Sequence, residues 1–135
     1  MSEKDALDKL IVNEDENPNT DLLAEIISKY LRFTTLGEII FEKEFYQLKE
    51  LQKFIVFLLA RKVILIKKLK KDFEEKMSYK EISEELGIKP ATLRKYVSRD
   101  LKNIIKSDKG KYFIPNYNLF KCKEKLGFNG KSKGN

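Results

Sequence analysis

The 135-residue chain carries 28 lysines and arginines against 21 aspartates and glutamates, a net charge of +7, and its 41% of apolar residues suits a globular domain with a core. It has no histidine and a single cysteine, Cys122, which excludes an internal disulfide, the usual zinc sites and histidine acid–base catalysis. The charge is uneven: residues 1–60 hold 7 basic and 12 acidic side chains, a balance of −5, whereas residues 61–135 hold 21 and 9, a balance of +12, so a polyanionic partner is expected to meet the second half.

Residues 1–20 are polar and acidic, with Glu14-Asp15-Glu16 and no sustained periodicity; they read as a flexible acidic tail without a signal peptide, and the protein is expected to be cytoplasmic, on the nucleoid when bound to DNA. Thr20 or Asp21 is placed to cap a helix over 20–33, whose broad apolar face includes Leu23, Ile26, Ile27 and Tyr30. Thr34, Thr35 and Gly37 interrupt it, and a second helix is predicted over 37–60 with Phe41, Phe45, Leu48, Leu51, Ile55 and Leu58 on one face. Residues 54–59 are apolar all round, which demands burial on both sides, in the centre of the fold or at a subunit interface. A membrane span is rejected, because Arg61 and Lys62 split the apolar run far short of about 20 residues. Val63, Ile66, Leu69 and Phe73 then predict a helix over 63–73 with Lys67, Lys68, Lys70 and Lys71 outward.

Residues 78–101 organise the chain. Ser78 with Glu81 three residues on is a capping box, and Tyr79, Ile82 and Leu86 share one helix face. Gly87 ends that helix in a left-handed corner plugged by Ile88, and Pro90 suits the first turn of the next. Leu93, Val97, Leu101 and Ile104 continue as a buried stripe, leaving Ala91, Arg94, Lys95, Ser98, Arg99 and Lys102 outside. Two of the chain's four arginines sit on this face, and arginine's planar fork suits bidentate contacts.

Ile82, Leu86, Gly87, Ile88, Leu93 and the Pro90-Ala91-Thr92 entry resemble the helix-turn-helix superfamily, including winged-helix regulators and the promoter-reading domains of sigma factors. The sequence departs from the usual pattern at Ser83, Lys89 and Tyr96. The resemblance implies that the segment 89–102 enters the major groove, with Lys89, Ala91, Thr92, Arg94, Lys95, Ser98, Arg99 and Lys102 against double-stranded DNA.

Residues 103–106 and 111–115 are rich in β-branched and aromatic side chains and flank Ser107-Asp108-Lys109-Gly110, a hairpin signal. A hairpin there would be the wing of a winged helix, with Lys106, Lys109 and Lys111 toward the phosphate backbone. Asn118 is placed to cap a last short helix closed by Gly127, and 128–135 reads as a flexible tail.

The expected fold is mainly α: an N-terminal helical extension over 21–60, a winged helix-turn-helix with its C-terminal helix over 61–127, and a small two-stranded β wing. The expected function is DNA binding, as a transcriptional regulator, not an enzyme, with no cofactor and no metal. A homodimer is expected through the apolar helix of residues 41–59; the sequence assigns no small-molecule effector. Two alternatives stay open: a winged-helix docking subunit of a transcription or replication assembly, and an architectural protein that coats DNA without sequence preference.

Overall fold

The structure, a computed structural model, describes residues 6–10 and 19–127. The expected C-terminal tail over 128–135 lies outside the described residues, as does most of the N-terminal one, in which Ala6–Leu10 form a 3-10 helix.

Helix α1 (Thr20–Ile27) is capped by Asn19, one residue before the expected cap, with its Oδ1 accepting from the Leu22 amide at 3.0 Å. The helix stops at Ile27, not at residue 33. Leu31 to Phe33 instead form strand β1 (Leu31–Phe33), antiparallel to β2 (Ile39–Phe41), and the Glu42 amide extends the ladder to the Tyr30 carbonyl at 2.8 Å. The turn between them is tied by Thr34, whose carbonyl accepts from the Gly37 amide at 3.0 Å and whose Oγ1 accepts from the Glu38 amide at 3.0 Å. Gly37 sits at φ +86°, and a Cβ there would stand 2.7 Å from Lys70 Cγ and 3.2 Å from Leu69 Cβ. Both the left-handed backbone and the close approach of the 67–73 turn therefore require glycine.

The single helix expected over 37–60 is thus divided into β2, a one-turn helix α2 (Lys43–Tyr46) and the long helix α3 (Glu50–Ile66). Helix α3 runs unbroken across residues 60 and 61, where the sequence suggests a boundary between regions. Phe54, Ile55, Val56, Phe57, Leu58, Leu59 and Ala60 are all buried, as their all-round apolarity demands. They are buried inside one chain, with α1 against α3 on one side, so residues 54–60 leave no apolar surface over for the dimerisation expected there. The helix expected over 63–73 ends at Ile66. Lys68 adopts φ +53°, the Leu69 amide donates to the Ile64 carbonyl at 3.1 Å and the Lys68 amide to Leu65 at 3.1 Å, a Schellman ending with lysine in the place glycine usually holds. Lys67, Lys68, Lys70 and Lys71 consequently lie in a turn and not along a helix face.

Helix α4 (Tyr79–Leu86) and helix α5 (Pro90–Ser98) follow, then the antiparallel strands β3 (Lys106–Asp108) and β4 (Lys111–Phe113). Helix α6 (Leu119–Lys125) is the last element among the described residues and packs on α1. Asn118 precedes α6 but does not cap it: its buried Nδ2 donates to the Ile104 carbonyl at 2.9 Å, fixing the segment after α5. Leu119 and Leu126 pack inward while Phe120 stays exposed. Cys122 is fully buried on α6, and burial pushes its thiol up to about 12. Iodoacetamide at pH 8 is therefore expected to label the native protein only as fast as it opens, because the thiolate is the nucleophile; rapid stoichiometric labelling under native conditions would contradict this packing.

The fold is mainly α, with two small antiparallel hairpins among the described residues. Among the described residues, no helix is long and apolar enough to cross a membrane.

Candidate nucleic-acid interface

The Ser78–Glu81 box forms as its spacing predicts. Ser78 Oγ accepts from the Glu81 amide at 3.2 Å, and Glu81 Oε1 accepts from the Ser78 amide at 3.0 Å, which holds the Glu81 carboxyl below the usual carboxylate range. Gly87 takes φ +73° and its amide donates to the Ser83 carbonyl at 2.8 Å, ending α4. Ile82, Ile88 and Leu93 are buried beneath the corner, and Pro90 begins α5.

Helix α5 is shorter than expected. Arg99 leaves helical geometry at φ −122° and ψ −91°, and the Leu101 amide turns back to the Tyr96 carbonyl at 2.8 Å. Leu101 and Ile104 are still buried, but from a turn. Arg99 and Lys102 therefore stand beyond the helix, while Ala91, Thr92, Arg94, Lys95 and Ser98 stand on it and Lys89 immediately precedes it. Tyr96, a departure from the usual pattern, is half-buried; its hydroxyl donates to Glu50 Oε1 at 3.2 Å and so docks α5 on the start of α3.

The β3–β4 hairpin turns through Lys109 (φ +54°) and Gly110 (φ +79°), two successive left-handed residues that match the twist of the strands. Lys106 pairs with Phe113 and Asp108 with Lys111 across the ladder, so the sheet's alternation puts these four on one face and Ser107 with Tyr112 on the other. Tyr112 is bound to the lead-in of α4 by a bridge in both directions: its amide donates to the Met77 carbonyl at 2.7 Å and its carbonyl accepts from the Met77 amide at 3.2 Å. Its ring stacks on Tyr79 with centroids 4.0 Å apart and planes 12° from parallel. Lys76 closes the outer face, 2.6 Å from Asp108 Oδ2 and 4.8 Å from the Phe113 ring centre. The Lys76 ammonium holds the Asp108 carboxyl below its ordinary range. Sequence reading missed Lys76, Tyr79 and Tyr112 as parts of this surface.

The sequence-selected residues are brought to two neighbouring elements, α5 with its flanks and the β3–β4 hairpin. Lys89, Arg94, Lys95, Arg99, Lys102, Lys106, Lys109 and Lys111 are all exposed, and among the described residues none of them is in a salt bridge. Ala91 and Ser98 are exposed and Thr92 is half-buried.

Behind this surface, Lys62 of α3 is a buried ammonium, 2.9 Å from Glu75 Oε2 and donating to Asn116 Oδ1 at 2.8 Å. Next to it, Arg61 donates to the Glu74 and Glu75 carbonyls and lies 4.4 Å from the Phe73 ring centre. These two cations fasten the segments that enter α4 and leave the hairpin to the central helix. A separate apolar cleft of about 410 Å³ opens between α1, β1 and the end of α3, lined by Leu23, Ile27, Phe33, Val63 and Ile66 among others, and shares no residue with the basic surface. No group of acidic residues and cysteine suited to a metal ion occurs among the described residues.

Comparison of the chain with protein-family models, with curated proteins and with solved structures finds no match in any of the three.

Proposed function

We propose that the chain is a winged helix-turn-helix DNA-binding protein acting as a transcriptional regulator, with α5 in the major groove and the β3–β4 hairpin as the wing. The observation that carries the reading is the set of eight exposed cations, free of salt bridges among the described residues, on α5, its flanks and the adjoining hairpin. Supporting it, the glycine corner joins α4 to α5 and the Met77–Tyr112 bridge adds a third short strand segment to the hairpin. A short helix meets DNA well through its first turns, where the small Ala91 leaves room for base edges. Arg99 and Lys102, beyond the helix, suit phosphates better than bases. The reading does not rest on a second copy: residues 54–60, the most apolar part of the segment expected to dimerise, are buried within one chain.

A duplex selected from a random pool should bind far more tightly than a scrambled one, by roughly 1,000-fold or more for a specific regulator. Equal binding to both would replace the regulator with an architectural protein, and no binding to either would leave a docking module. Titration of the full chain with both duplexes at two salt concentrations distinguishes the three.

A further inference from the structure

Helical geometry divides the basic row on α5. At about 100° per residue, Ala91 and Lys95 point within roughly 20° of the direction opposite the buried Leu93, and Ser98 within roughly 40°. Arg94 lies roughly 80° round, on the flank toward α4. There its guanidinium carbon sits 5.7 Å from the centre of the Tyr79 ring. Tyr79 is half-buried and is itself stacked on Tyr112, whose backbone is bridged to Met77. Arg94 is therefore held beside the hairpin through one ring, Tyr79, which the Tyr112 stack fixes in turn, whereas among the described residues no ring lies under Lys95.

Resting on the DNA-binding reading above, we propose that Tyr79 is a positioning residue that keeps Arg94 out of the base-reading row, so that Arg94 and the hairpin lysines grip the phosphates of one strand while Lys95 meets base edges. A cation over an aromatic face keeps its outward N–H groups available, and a guanidinium offers those donors in the fork that matches a phosphate. Lysine in that place would stack less well and lose the fork. The arrangement also links two contacts: displacing the hairpin moves Tyr112, which moves the ring under Arg94.

The experiment measures full-chain binding to a selected and a scrambled duplex across salt concentrations. Arg94→Ala is expected to weaken both duplexes by the same factor, about fivefold to tenfold, and to flatten the salt slope by about 0.9, the value for one phosphate. Lys95→Ala is expected to reduce the preference for the selected duplex. Tyr79→Leu should reproduce Arg94→Ala, and Tyr79→Phe, which keeps the ring, should bind as wild type. Adding Arg94→Ala to Tyr79→Leu should cost nothing further. If Tyr79→Leu fails to fold, Arg94→Lys still tests the phosphate role on which the proposal depends: the exposed site leaves folding intact, the loss should again be equal on both duplexes, and a loss confined to the selected duplex would overturn the proposal. An Arg94→Ala loss confined to the selected duplex would make Arg94 a base reader and overturn the proposal. So would unchanged binding by Tyr79→Leu. Failure of the wild type to bind any duplex would instead remove the parent reading.

Discussion

Glu75→Gln is expected to lower unfolding stability by about 3 kcal/mol, a large loss for a side chain remote from the basic surface. Lys62 is 3% exposed, and its ammonium is paired with Glu75 Oε2 at 2.9 Å and donates to Asn116 Oδ1 at 2.8 Å. Removing the carboxylate charge leaves that ammonium in the interior with only neutral amide oxygens, that of Asn116 and that of the substituted side chain, and uncompensated buried charges of this kind typically cost about 3–5 kcal/mol. The value falls at the low end because Asn116 still accepts. Lys62→Met strands the opposite charge and should cost a similar amount. The double replacement Lys62→Met with Glu75→Leu should recover most of the loss, since two apolar side chains of similar volume carry no desolvation penalty. Urea unfolding of the four proteins measures this directly. A Glu75→Gln midpoint equal to wild type would mean that the pair does not fasten the lead-in of α4 to α3.

Charge reversal at Arg94→Glu with Lys95→Glu is expected to reduce duplex affinity by about 100-fold or more at moderate salt, while costing at most about 1 kcal/mol of stability through the lost Arg94–Tyr79 contact. Both side chains are exposed and in no salt bridge among the described residues, so the fold loses no ion pair. The loss has two parts: two cationic contacts disappear, and two carboxylates are brought against phosphates. Lys29→Glu with Lys43→Glu changes the net charge by the same amount, at exposed positions on the α1 and α2 side of the chain. That control should lose far less affinity, because screening beyond about 10 Å at ordinary ionic strength leaves only contacts that are close. Equal losses from the two pairs would reduce the interface to net charge without a defined surface.

Local signals made the centre of this candidate interface legible in the sequence. The Ser78–Glu81 box, Gly87, Pro90 and the buried Ile82, Ile88 and Leu93 all act within a few residues, and each stands where its chemistry predicts. The β3–β4 hairpin was equally readable, though its turn is the Lys109-Gly110 pair and its strands are shorter. Errors arose where an apolar stripe continues after the helix has ended. Tyr30 and Leu31 keep helical spacing with Ile26 and Ile27, yet their burial comes from the β1–β2 hairpin. Leu101 and Ile104 likewise continue the spacing of Leu93 and Val97 from within a turn. Neither α1 nor α5 is stopped by glycine or proline, so spacing alone runs past the end. The Lys62–Glu75–Asn116 cluster and the Tyr79–Tyr112 stack join residues far apart in the chain, and nothing local marks Lys62 as the one lysine buried among the described residues.

The salt dependence of wild-type duplex binding tests the central claim most directly. With Arg94, the three hairpin lysines and one or two of Lys89, Arg99 and Lys102 on phosphates, a plot of log affinity against log salt should fall with a slope of about −4.5 to −5.4, or about 0.9 per phosphate neutralised. Affinity independent of salt, or no binding at 50 mM salt and micromolar protein, would contradict a nucleic-acid interface on α5 and the β3–β4 hairpin.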